Sequence, residues 1–95
     1  LSLHDALPIY SWQSLLRNLK EVIPTWEAAK NLSGIDQSKL SELLTILHRR
    51  LTLAQEIYST MEQKAWLSDS QQARLKADEQ DANTAQKLSK ELNHE

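Results

Sequence analysis

Apolar residues recur every three or four positions over most of this chain, which is the spacing of one face of an α-helix. The clearest run predicts a helix from about residue 37 to residue 67, which Asp36 or Ser38 could cap. Within it, the apolar positions alternate spacings of four and three without a break, as in the seam of a coiled coil. This seam consists of Leu40, Leu44, Leu47, Leu51, Ala54, Tyr58, Met61 and Ala65.

The apolar face of this helix is wider than one seam. Leu43, Ile46, Leu53 and Ile57 extend it to one side, so that apolar residues cover about half of the circumference. Because a single neighbouring helix cannot cover so broad a face, we expect a partner surface to bury the rest. The residues expected at this partner interface are Leu40, Leu43, Leu44, Leu47, Leu51, Ala54, Ile57, Tyr58 and Met61.

An earlier run of apolar residues predicts a helix over residues 12–32, with Ser11 as its cap. Pro24 interrupts this run, because proline lacks a backbone N–H and its ring crowds the carbonyl four residues earlier. The segment is therefore either one kinked helix or two short helices. Gly34 follows where a helix end favours a left-handed residue, so we expect the segment to end there.

The last part of the chain has good helix propensity but few large apolar residues. Ser68 and Gln71 form a capping-box pattern that predicts the start of a third helix, and only Leu75, Leu88 and Leu92 are large and apolar beyond it. When the heptad of the preceding helix is continued past Ala65, it meets mostly polar residues. This helix could pack loosely as a third helix or project as a frayed tail.

These patterns predict an all-α fold, a small antiparallel helical bundle or hairpin of two to three helices with coiled-coil-like packing. Residues 10–67 would form the helical core, and residues 68–95 a polar C-terminal helix or tail. The chain has 95 residues, enough for one domain at most, and its single glycine argues against a β-sandwich or a phosphate-binding glycine loop. No run of apolar residues is long enough to predict a membrane span.

The first nine residues, 1–9, resemble the translation of a short sequencing adapter whose codons begin CTT TCC CTA CAC GAC. Such a segment would not belong to the protein and should be excluded from reasoning about the fold. We therefore expect the remaining 86 residues to be the C-terminal piece of a larger protein.

Candidate chemistry is sparse. There is no cysteine, which removes thiol nucleophiles and thiolate metal sites. Glu91 and His94 have the Glu-x-x-His spacing of a di-iron ligand pair but lack the second copy that such a site needs. The acidic cluster of Asp78, Glu79 and Asp81 lacks the glycine and the alternating ligands of a calcium loop. We expect no catalytic residues, no metal and no cofactor.

The only basic cluster is His48-Arg49-Arg50. With a net charge of −2, the chain gives no electrostatic reason to bind nucleic acid. Arg50 falls within the apolar arc, where it could extend its methylenes over apolar surface to reach water, or meet a carboxylate at a helix interface. Glu42, Arg49 and Glu56 are expected on the rim of the contact, where charges set the helix register.

The expected function is that of a non-enzymatic helical protein–protein interaction or oligomerisation module. It could belong to a larger bacterial or phage protein or be a small accessory chaperone. Its partner would be a second copy, another protein or the N-terminal part of its own chain. The alternative is a helical accessory subunit that associates with nucleic acid, or the dimerisation arm of a regulator. In that case Arg49 and Arg50 would contact the anionic phosphates. The tryptophans are more typical of core packing or of interface anchors than of base-stacking platforms; they are Trp12, Trp26 and Trp66.

Overall fold

A computed structural model of the chain describes residues 9–63 and 66–93, with side chains from residue 11 onward. All regular structure in these residues is helical, which confirms the prediction of a small all-α bundle. The expectations for residues 1–8, Ala65 and His94 lie outside the described residues. The elements are α1 (Ile9–Ala28), a single 3-10 turn (Ala29–Asn31), α2 (Gln37–Gln63) and α3 (Asp69–Asn93).

The first helix starts earlier than predicted, and its α-helical part ends at Ala28, with the 3-10 turn completing the predicted range as far as Asn31. It begins at Ile9, so Ser11 lies inside α1 and does not cap it. It also continues through Pro24 as one helix instead of splitting into two. Proline removes only one hydrogen bond of the helix, the one to the carbonyl of Lys20. Gly34 adopts the expected left-handed conformation, with φ of 84°, in the turn before α2.

The caps of the other two helices follow the sequence closely. Of the two candidates for α2, Asp36 is the cap, since its Oδ1 accepts a hydrogen bond from the backbone N–H of Lys39 at 3.1 Å. At α3 the capping box is complete. The backbone N–H of Gln71 donates to Ser68 Oγ at 3.1 Å, and the N–H of Ser68 donates to Gln71 Oε1 at 2.9 Å.

The second helix lies between the other two. Helices α1 and α3 both pack against α2, whereas within the described residues their own backbones do not come within 8 Å of each other. The chain runs up, down and up, because Gln13 near the start of α1 meets Tyr58 near the end of α2, and Lys39 near the start of α2 meets Glu91 near the end of α3. The bundle is therefore open along the side where α1 and α3 face each other.

This central position explains the broad apolar face of α2, which consists of two adjacent stripes. The α1-facing stripe is the predicted seam that includes Leu47 and Tyr58. The α3-facing stripe has the same alternation of four and three residues and includes three residues bonded to α3, namely Lys39, Arg50 and Thr60. Its other members are Leu43, Ile46, Leu53 and Ile57, all of which are buried.

The last helix packs against α2 and is not a projecting tail. Residues on its contact face also alternate at spacings of four and three, but this heptad pattern is not in register with that of α2. The face was therefore not found when the heptad of α2 was continued into α3. Small or polar residues occupy several core positions of this face, which disguises it in the sequence. The face consists of Gln71, Leu75, Asp78, Ala82, Ala85, Ser89 and Leu92.

The α3-facing stripe should be essential to stability. Ile57 has no exposed surface, so Ile57→Ala leaves a cavity and is expected to lower the free energy of unfolding by about 2–5 kcal/mol. Urea denaturation followed by circular dichroism measures this change. The matched control, Gln55→Ala on the exposed face of the same helix, should change it by no more than about 0.5 kcal/mol. Equal effects of the two substitutions would contradict the packing of α3 on this stripe.

Candidate interaction surface

The residues predicted for a partner interface lie in the core of the chain itself. Six of them are buried, and Leu51, Tyr58 and Met61 are half-buried against the same core. The expectation of an outside partner for this face is corrected, because α3 supplies the second neighbour that α2 requires. In this arrangement these residues offer little surface to another molecule. The six buried residues are Leu40, Leu43, Leu44, Leu47, Ala54 and Ile57.

Arg50 meets a carboxylate across the α2–α3 interface, which was one of the alternatives open from the sequence. Its Nε and Nη2 atoms donate to the two carboxylate oxygens of Asp78 at 2.9 and 3.1 Å. Both side chains are largely shielded, with exposed fractions of 16% and 13%. This two-bond geometry is the strongest that an arginine makes with a carboxylate. The pair therefore fixes which residues of α3 lie against the centre of α2.

Arg49 forms a similar pair at the edge of the same interface. Its guanidinium donates to both oxygens of Asp81 at 2.7 and 2.8 Å, but its side chain is 59% exposed. Hydrogen bonds from Arg49 hold the pKa of Asp81 below its ordinary value, against a weaker opposing effect of burial. Two members of the acidic cluster thus neutralise the two arginines of the basic cluster, whereas Glu79 is exposed.

A third arginine–carboxylate pair joins α2 and α3 nearer the connection between them. Arg74 binds both oxygens of Glu56, one of them at 2.8 Å, and these hydrogen bonds are the main cause of the lowered pKa of Glu56. The buried Gln71 side chain donates to Thr60 Oγ1 at 2.8 Å and to Glu56 at 3.2 Å. Glu56 thus contributes to the register, as expected of a rim residue, while Glu42 is exposed.

The contact between α1 and α2 also has polar links on its outer side. Glu27 accepts from Lys30 at 2.8 Å and lies 3.0 Å from Nε2 of His48. The hydrogen bonds from Lys30 and then from His48 lower the pKa of Glu27. Gln13 donates to the hydroxyl of Tyr58 at 2.8 Å. Glu27 and His48 thus link α1 to α2 in the way that the arginine pairs link α2 to α3.

An apolar groove runs along the end of α1 and the 3-10 turn, and Asn93 at the end of α3 borders it. Its volume is about 650 Å³. Val22 and Trp26 are half-buried in it, and Leu32, with 60% of its surface exposed, stands at one end. We call this the α1–α3 groove. Its lining residues are Glu21, Val22, Thr25, Trp26, Ala28, Ala29, Leu32 and Asn93.

Among the residues whose side chains the structure describes, Trp66 is the other exposed large apolar residue, at 64%. It borders a shallow polar depression between α2 and α3 whose other lining residues include Glu56, Gln71 and Arg74. These polar groups already bond to one another. Trp66 is therefore an isolated apolar group, whereas Leu32 is part of a larger apolar surface.

Among the described residues, no three histidine, cysteine, aspartate or glutamate side chains are grouped so that they could hold a metal ion. Glu91 forms an ion pair with Lys39 at 3.5 Å, and its suggested partner His94 lies outside the described part of the chain. Within residues 9–63 and 66–93, no helix combines the length and the hydropathy needed to cross a membrane.

The α1–α3 groove was not predicted from the sequence. Val22, Trp26 and Ala29 lie within the apolar run that predicted the first helix, but nothing in that run shows which of its residues stay uncovered. One signal was available in Leu32, an apolar residue between the polar Asn31 and Ser33 just before Gly34. Large exposed apolar residues that adjoin other apolar surface are typical of interaction sites.

The two arginine pairs should differ in their effect on stability. Arg50→Ala leaves the shielded carboxylate of Asp78 without its partner, so we expect a loss of about 1–3 kcal/mol in the free energy of unfolding. Arg49→Ala breaks the exposed pair and should cost less than about 1 kcal/mol. Replacing both members together, as in Arg50→Met with Asp78→Leu, should recover most of the loss. Chemical denaturation of the four proteins measures these values, and a larger loss for Arg49→Ala would contradict the structure.

Acid should weaken the contact between α2 and α3. The lowered pKa values of Glu56 and Asp81 mean that the unfolded chain binds more protons than the folded chain in acid. Their contribution is complete above the ordinary pKa values, 4.5 for glutamate and 3.8 for aspartate, and is lost as the pH falls through the lowered values.

Denaturation midpoints measured between pH 6 and pH 2 should therefore fall less steeply with pH in Asp81→Asn than in the unmodified chain. The control is Glu62→Gln, which removes an exposed carboxylate outside these ion pairs. An unchanged slope in Asp81→Asn would contradict the assigned role of the Arg49–Asp81 pair.

Comparison with models of known protein families, with curated proteins and with solved structures gives no match, so the surface of the chain itself is the basis for assigning it a function.

Proposed function

We propose that this chain is a non-enzymatic helical module that binds another protein in the α1–α3 groove. The observation that carries the proposal is Leu32, which is 60% exposed while it adjoins the half-buried Val22 and Trp26. Between residues 11 and 63, the other large apolar side chains are buried or half-buried in the core. An apolar partner at this groove would remove the exposed part from water, which favours binding.

The chemistry of the groove favours binding over catalysis. Its lining consists of apolar side chains with Thr25, Asn93 and Glu21 among them. An enzyme site needs a nucleophile or an acid–base group held by a second polar group, and among the described residues of this lining Glu21 is the one titratable group. A few apolar anchors within a polar border are instead typical of grooves that receive the apolar face of a helix.

Nucleic acid would require free cationic groups, and the arginines first considered for that role are engaged. Arg49 and Arg50 each donate two hydrogen bonds to a carboxylate of α3. A phosphate would have to displace Asp81 or Asp78 to reach them. The structure therefore gives no support to the nucleic-acid alternative, and the proposal does not use these residues.

A selection from a library of displayed helical peptides tests the proposal. We expect peptides with large apolar residues one helical turn apart to bind the chain. Leu32→Asp should weaken their binding at least about tenfold, because it places a charge on the apolar surface. Fluorescence anisotropy of labelled peptides measures the affinity. The matched control is Trp66→Asp, since Trp66 is equally exposed but lies outside the groove.

Two results would bear on the proposal directly. Recovery of no peptide that depends on Leu32 would contradict it. Light scattering at two concentrations adds a second test, because an assembly of this chain that Leu32→Asp dissociates would identify a second copy as the protein bound there.

A further inference from the structure

The geometry points to a specific kind of occupant for the α1–α3 groove, namely an amphipathic helix with a lysine or arginine placed opposite Glu21. This inference rests on the proposed function and adds the chemistry of the partner. It depends on two features of the groove, the charge on its border and the course of its apolar residues.

Among the described residues, Glu21 is the one charged residue that lines the groove. It is exposed, and its carboxylate forms no ion pair with a cation of the described part of the chain. Arg17 and Lys20 beside it line a separate depression next to Tyr58. In contrast, each of the following carboxylates borders a contact between helices and forms an ion pair with a basic residue. They are Glu27, Glu56, Asp78, Asp81 and Glu91.

An occupant of the groove would partly remove Glu21 from water. A carboxylate that loses water without gaining a partner is costly, and one that gains a cation is compensated. Opposite charges across an interface also raise the rate of association and exclude acidic competitors. A basic residue on the occupant therefore serves both affinity and specificity, whereas an acidic residue at that position would oppose binding.

The course of the groove favours a helical occupant. Its apolar residues on the α1 side, Val22, Trp26 and Ala29, follow one another at spacings of four and three. Such a row forms a ridge along the helix, against which the side chains of a second helix interdigitate. Because Asn93 is the one described residue of α3 that lines the groove, an added helix would lie along the end of α1 as the fourth helix of the bundle.

A different protein fits this groove better than a second copy does. In a two-fold dimer the same patch faces itself, so each chain would bring its own unpaired Glu21 to the contact. The chain also has a net charge of −2, which adds no favourable long-range attraction between copies. The charge of the groove is thus complementary to a basic helix.

Reversal of the charge at residue 21 tests the inference. From one library of helical peptides with leucine anchors, the unmodified chain should select peptides enriched in lysine or arginine beside the anchors. Glu21→Lys should select peptides enriched in aspartate or glutamate. A peptide selected on the unmodified chain should bind Glu21→Lys at least about tenfold more weakly, and replacing its basic residue by glutamate should restore the affinity. Glu21→Gln should give an intermediate affinity.

The control is Glu62→Lys, which makes the same change of charge at an exposed position outside the groove and should leave binding within about twofold. The difference between Glu21→Lys and the unmodified chain should also shrink in high salt. Peptides that depend on Leu32 but show no preference for basic residues would overturn the inference and leave the proposed function standing. Self-association that depends on Leu32 and occurs without peptide would likewise overturn the inference and leave the proposed function standing. Failure to recover any peptide whose binding depends on Leu32 would overturn both the inference and the proposed function.

Discussion

The structure depends on the need of one helix to bury two adjacent apolar stripes. Helix α2 carries both, and no single neighbour could cover them, because together they span about half of its circumference. Helix α1 takes the stripe that includes Leu47 and Tyr58, and α3 takes the stripe that includes Leu43 and Ile57. Since the two stripes point in different directions, the helices that cover them stand apart from each other. The open side of the bundle, and with it the α1–α3 groove, is a direct consequence of this arrangement.

The contact between α2 and α3 joins a strongly apolar surface to a weakly apolar one. Small residues such as Ala85 are buried on the α3 side of this contact. Polar side chains of α3 within the contact form hydrogen bonds with side chains of α2. Gln71 is satisfied by Thr60 and Glu56, and Asp78 by Arg50. Shielded ion pairs add little net stability, because the loss of hydration offsets most of the attraction. Their effect here is on position, since sliding α3 by one turn would leave Arg50 and Asp78 without partners inside the interface.

One end of the molecule differs from the rest in its charge pairing and in its exposed apolar surface. Cations and carboxylates at the two helix contacts are matched, so those contacts are complete. The end of α1 is different. Leu32 is exposed there, and Glu21 has no ion-pair partner among the described residues. An apolar surface beside a carboxylate without an ion-pair partner has the features of one half of an interface. The proposed function follows from this contrast between a completed core and an incomplete end.

The periodicity of the sequence determined the existence of all three helices, the apolar face of each of the first two, and the caps at Asp36 and Ser68. These features depend on residues within one or two turns of each other, which is why the sequence alone suffices to find them. Tertiary structure decided what lies across each face. It gave Arg50 its carboxylate, placed α3 over Leu43 and Ile57 where an outside partner was expected, and left Leu32 uncovered. Periodicity shows which residues share a face of a helix, but it contains no information on which other face lies opposite. The polar residues of α3 at core positions became recognisable as such only beside their partners on α2.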